Sequence, residues 1–152
     1  MTSETVRRVQ SGNPWEETLG FARAVAAGDM VLVAGTTSFK GSVLYGEGDP
    51  YEQAKVAFTS ALEAIAEFGL GPGSVVRTRM HLAHPRDVDE VGRAHKELFD
   101  AVRPAATLLV VEGFIDPRVL VSVELEAFRG NTRDTGNAGN AGNAGNTGNT
   151  GN

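Results

Sequence analysis

Residues 103–130, RPAATLLVVEGFIDPRVLVSVELEAFRG, hold two runs dense in β-branched residues on either side of a turn at Gly113 and Asp116-Pro117. Read with period two, the second run puts Leu120, Ser122, Glu124 and Glu126 on one face and Val119, Val121, Val123, Leu125 and Ala127 on the other. Carboxylates in a strand this apolar need water, a cation or a partner, so their face is either solvated or part of a polar site. Residues 75–83 alternate in the same way, with Val76, Thr78, Met80 and Leu82 on one side and Arg77, Arg79 and His81 on the other. Upstream, residues 19–26 and 30–36 predict a hairpin joined through Ala27-Gly28-Asp29. Gly35 marks either a bulge or a close approach of another group to the backbone. A short first strand over residues 6–9 and a Ser11-Gly12-Asn13-Pro14 turn lead into Trp15, a core or lip residue. Residues 39–48 read as loop, with a minor strand at 42–45.

Between these runs the apolar spacing changes to three and four. Asp49-Pro50-Tyr51-Glu52 is a helix start, with Asp as N-cap, Pro in the first turn and Glu placed to answer the cap. Ala54, Ala57, Phe58, Ala61, Leu62, Ile65 and Phe68 then form one stripe, which Gly69 and Gly71-Pro72-Gly73 stop. A second helix runs from near Pro85 or Asp87 to Ala101, with an inner stripe of Val88, Val91, Ala94 or His95, Leu98 and Phe99. The order of strands, helix, strand, helix, strands predicts an α+β fold, a mixed sheet with both helices on one face. Its other face carries Arg77, Arg79, His81, Thr107, Ser122, Glu124 and Glu126 mixed with Leu109 and Leu120. Such a surface is too apolar for bare solvent and too charged for a dry core. Closed self-association is the usual way to cover it.

Composition narrows the function. The 152 residues carry a net charge of -5, which disfavours a phosphate backbone as partner. The absence of cysteine excludes disulfides, thiolate nucleophiles and thiolate metal sites, and fits a reducing cytoplasm. No signal-peptide core or bilayer-length apolar stretch is read, so a soluble cytoplasmic protein without membrane contact is expected. One domain is expected over residues 1–130. From Thr135 onward the chain is six copies of Ala/Thr-Gly-Asn, which bury no core, so residues 131–152 are expected to be a disordered tail.

Three histidines are available. His81 and His84 point to opposite faces of an extended chain and His95 is read as a helix surface residue, so neither a metal site nor a cofactor is expected. His84-Pro85 reads as a strand-to-helix corner. As an imidazole His81 suits proton transfer, while Arg79 suits an oxyanion. The competing reading is structural: cross-strand or intersubunit pairing of Arg77 and Arg79 with Glu124 and Glu126, and His81 hydrogen-bonded within an interface. No His-Asp relay is visible around Ser122, so nucleophilic serine chemistry is not expected.

Several stretches together resemble the RidA/YjgF family of reactive-intermediate deaminases: Ser11-Gly12, Gly20-Phe21-Ala22-Arg23-Ala24-Val25, Val33-Ala34-Gly35-Thr36, Gln53, Phe99, Arg103-Pro104-Ala105 and the strand over 120–127. The similarity covers about residues 6 to 129. It implies a chorismate-mutase-like sheet, a barrel-forming homotrimer and clefts at the subunit interfaces that take a small-molecule metabolite. In active members the resemblance implies an arginine of a Pro-Ala-Arg motif on the substrate carboxylate, and a last-strand glutamate that orders water to hydrolyse an imine. Here the arginine position falls on Ala106. An ungapped run through Leu120-Val121 places the glutamate position at Ser122, while sliding the strand by two supplies Glu124.

The family tyrosine falls on Phe21, the Ser-Gly-Gln on Ala34-Gly35-Thr36 and the helix-two asparagine on Gly92. The resemblance therefore implies a pocket lined by Phe21, Gly35, Thr36, Ala106, Thr107 and Glu126, with His81, Glu124, Arg79 and Ser122 as candidate catalytic groups. Alanine offers neither charge nor donor, so ordinary imino-acid deamination is not expected. The preferred reading is altered chemistry on a small enamine, imine or carbonyl metabolite. The alternatives are a silent binding or partner protein and a deaminase in which Arg79 or Arg23 replaces the lost arginine. Endoribonuclease activity, ascribed to some relatives, fits badly with the acidic balance.

Overall fold

The computed structural model describes residues 6–130; the expected tail from Asn131 onward lies outside the described residues. Six strands, β1 (Val6–Val9), β2 (Ala24–Ala27), β3 (Met30–Thr36), β6 (Val75–Leu82), β7 (Ala105–Val110) and β8 (Val121–Phe128), form one sheet in the order β1-β2-β3-β8-β6-β7. Only β6 and β7 pair in parallel, so the sheet is mixed, as expected. The last of the described strands, β8, thus sits between two strands that precede it. A small hairpin of β4 (Phe39–Lys40) and β5 (Val43–Leu44) stands apart, where loop with a minor strand was anticipated.

Two long helices, α2 (Pro50–Ala66) and α3 (Val88–Phe99), cover one face. The α2 start is the one its sequence specifies: Asp49 Oδ1 accepts from the Glu52 amide at 3.1 Å, and Pro50 sits in the first turn. Four alanines on its inner stripe, Ala54, Ala57, Ala61 and Ala64, let the helix axis approach the sheet closely while Phe58 and Ile65 fill the gaps. Against them lie Val121, Val123, Leu125 and Ala127 of β8, and Thr78, Met80 and Leu82 of β6 are buried as well.

Four expectations are corrected. Residues 14–19 form a short helix, α1 (Pro14–Leu19), and strand β2 starts only at Ala24. The cause is local: Asn13 Oδ1 accepts from the Trp15 amide at 2.9 Å, Pro14 occupies the first turn, and Gly20 at φ 78° closes the helix. Val76 is 44% exposed and Val75 takes the buried place, because the β6–β8 register shifts between Val75 and Arg77. Val88, placed on the inner stripe, is exposed, since a 3-10 turn over Pro85–Asp87 precedes α3 and changes its entry. His95 points inward rather than to the surface: its Nε2 lies 2.8 Å from Thr78 Oγ1, and its ring packs on Phe58 and Phe99 at 5.5 and 4.9 Å. Burial holds its pKa below the ordinary histidine value.

Candidate active site

Among the described residues no long helix covers the opposite face of the sheet, and strand register decides which residues meet there. The β6–β8 pairing sets Arg77 opposite Glu126, Arg79 opposite Glu124 and His81 opposite Ser122. On the far side of β6, Thr107 stands in register with Arg79 and Leu109 with His81. Candidates from three strands are thereby brought into one patch, where Leu32 and Leu109 expose apolar surface between the charges. A depression of about 250 Å³ opens beside Arg79, Glu124 and Glu126, walled by Ala22, Leu32 and Ala34.

Within the patch the charges are paired. Arg79 Nη1 donates to Glu126 Oε2 at 2.9 Å and lies 3.6 Å from Glu124 Oε1. His81 Nδ1 is 3.9 Å from Glu124 Oε2. Arg77 Nη2 donates to Thr107 Oγ1 at 3.1 Å, while its Nε is shut from solvent without an acceptor among the described residues. Both predicted roles of Gly35 hold. The β3–β8 register shifts between Val33 and Thr36, and a Cβ added at Gly35 would stand 3.3 Å from Ser122 Oγ.

Two predicted lining residues, Ala106 and Thr36, turn away from this patch. Ala106 is in register with Thr78, whose side chain is buried beneath the helices, so its methyl leans to the helix side at the exposed edge strand. Thr36 is in register with buried Val123 and donates its hydroxyl to the Ala34 carbonyl at 2.7 Å. Phe21 lies before β2, 5.7 Å beneath the Arg23 guanidinium.

A second polar cluster, which the sequence reading missed, holds the bulge in place. The buried carboxylate of Glu16 accepts from the Ser11 hydroxyl, from the Ser11 amide and Gln10 Nε2, both at 2.9 Å, and from Arg23 Nε at 3.4 Å. Arg23 Nη1 in turn donates to the Gly35 carbonyl at 2.7 Å and to Thr36 Oγ1 at 3.0 Å. The short helix α1 therefore reaches the bulge beside Ser122 through one carboxylate and one guanidinium. Glu-Glu after an Asn-Pro helix start was the available signal for it.

Burial works to raise the Glu16 pKa, but the Ser11 and Arg23 donors outweigh it and hold it below the ordinary glutamate value. A carboxyl with a depressed folded-state pKa contributes stability above its unfolded pKa, and that contribution is lost as pH falls through the folded value. Thermal melts from pH 6 to 3 should therefore show a declining midpoint in the wild type and a flatter profile in Glu16→Gln. The variant should be less stable at pH 6 by about 1–3 kcal/mol, the cost of a weakened buried acceptor. Parallel profiles would remove the assignment.

The family model described as Endoribonuclease L-PSP matches residues 14–128. An uncharacterised protein of Streptomyces coelicolor is 79% identical over 130 residues, which span 86% of this chain and 97% of that protein. The crystal structure of a Mycobacterium tuberculosis member of the YjgF/YER057c/UK114 family aligns with a TM-score of 0.74 at 32% identity, over 81% of this chain and 98% of the other. TdcF of E. coli, crystallised with bound serine, shares the fold at a TM-score of 0.67 and 18% identity, over 81% of this chain and 94% of its own. Sheet order, helix placement and these matches together make the chain a member of the endoribonuclease L-PSP family, the group of YjgF and Rid proteins.

Proposed function

We propose that the protein is a homotrimeric enzyme of this family that acts on a small enamine, imine or carbonyl metabolite in clefts between subunits. His81 and Glu124 move the proton. The observation that carries this is the His81–Glu124 contact on a half-apolar sheet face that no long helix covers among the described residues. An imidazole beside a carboxylate is suited to general acid/base work such as tautomerisation, hydration or hydrolysis. Packing of three such faces would remove Leu32 and Leu109 from water and enclose the acid/base pair. Ribonucleolytic chemistry, which the family's description names, is disfavoured for this chain by its net charge of -5.

Two measurements test the reading. Light scattering should give three times the chain mass of 16.0 kDa. Solvent-deuterium incorporation into an enamine generated in place should be accelerated by the wild type, and His81→Ala should lose about 100-fold of that acceleration, the scale of one general acid/base group. An unaltered rate in His81→Ala removes its role. A monomer with no rate enhancement on any such probe favours a silent binding protein.

A further inference from the structure

Strand register supplies the relay that was not visible around Ser122. Ser122 and His81 are directly opposed in an antiparallel pair on the open face. Side chains so opposed begin from Cβ atoms about 4.5–5.5 Å apart, so a ring nitrogen and the serine oxygen, which here rests against Gly35 of β3, come within reach when both side chains rotate toward one another. The Glu124 carboxylate already flanks His81 Nδ1 at 3.9 Å, and a carboxylate on that nitrogen favours the tautomer whose Nε2 is basic. Gly35 leaves room for the hydroxyl, since a Cβ there would stand 3.3 Å from Ser122 Oγ.

From this arrangement we propose that Ser122 is an acyl-accepting nucleophile, with His81 as its base and Glu124 as the orienting carboxylate, acting on small activated esters. Ser122 Oγ bonds to the acyl carbon while its proton passes to His81. The ester C–O bond then breaks, and the alcohol leaves with that proton. Water, losing a proton to His81, cleaves the acyl-serine, releases the carboxylic acid and returns Ser122 to its hydroxyl form. No oxidant, metal or further reactant enters. The proposal rests on the cluster geometry alone, so it stands or falls separately from the enamine reading.

The test uses the full chain. Incubation with an alkyl fluorophosphonate, followed by peptide mass spectrometry, should place one adduct on Ser122. Release of p-nitrophenolate from p-nitrophenyl acetate should be lost in Ser122→Ala and slowed about 100-fold in His81→Gln. Glu124→Gln should lower the rate while circular dichroism and oligomer size stay unchanged. Absence of an adduct at Ser122 in the folded wild type overturns the proposal, as does release that survives in Ser122→Ala. Should Ser122→Ala fail to fold, the site of the wild-type adduct remains decisive.

Discussion

Ammonia release from 2-iminobutyrate generated in place is expected to run about 100-fold or more below that of a family relative with an arginine at the position of Ala106. Truncating one partner of a desolvated charge pair costs about 2–5 kcal/mol. A factor of ten in rate corresponds to about 1.4 kcal/mol, so a 100-fold loss lies toward the lower end of that range. The two arginines that would compensate are both engaged. Arg23 holds Glu16 and the Gly35 carbonyl, and Arg79 holds Glu126 with Glu124 beside it. Turning either toward a substrate would take a charged partner from a carboxylate. A rate equal to that of the relative would show that Ala106 is no loss.

Gln53→Leu is expected to destabilise the fold by about 3–5 kcal/mol, a range reached when a buried hydrogen-bond network is broken. Gln53 is fully buried on α2, and its amide engages three backbone groups of two loops. Nε2 donates to the carbonyls of Gly46 and Arg118 at 3.2 and 3.0 Å, and Oε1 accepts from the Leu120 amide at 2.9 Å. Leucine fills much of the same volume but takes the side-chain partner from the Arg118 carbonyl and the Leu120 amide, while the Gly46 carbonyl keeps the Asp49 amide, so the cost is in hydrogen bonding rather than in a cavity. Urea unfolding at neutral pH measures it through a lowered midpoint at constant slope. A change under 1 kcal/mol would mean that water replaces the amide. Because Leu120 leads directly into β8, loss of this pin should also loosen the register of Ser122 and Glu124.

Strict alternation made β8 legible residue by residue: Val121, Val123, Leu125 and Ala127 are buried, and Ser122, Glu124 and Glu126 face the other way. The α2 start was legible for a similar reason, since its cap, proline and stripe all agree. The short helix α1 carries the same signal, Asn13-Pro14 followed by Glu16 and Glu17, but it is only 6 residues long and has no apolar repeat to complete the pattern. Val76 was misplaced because a bulge is a property of two strands, and one strand's alternation does not contain it.

The candidate site divides along the same line. That Arg79, His81, Ser122, Glu124 and Glu126 share a face follows from period two within each strand and a correct sheet order. That Ser122 opposes His81, and that Arg79 reaches Glu126 as well as Glu124, follows from register, which is set by the bulges and by loop lengths. Thr36 illustrates the limit: the irregularity at Gly35 turns it toward the helices, where Arg23 and Ala34 engage its hydroxyl.

The central place of β8 bears on how the protein is made. Emerging from the ribosome, the hairpin of β2 and β3 and the parallel pair of β6 and β7 have no edge in common until the final strand arrives to join them. Until then two half-sheets each present an unpaired apolar margin, the condition under which nascent chains associate wrongly or need a chaperone. Completion of the domain is thus a late closing step, in which the segment bearing Ser122 and Glu124 is also the one that welds the halves together.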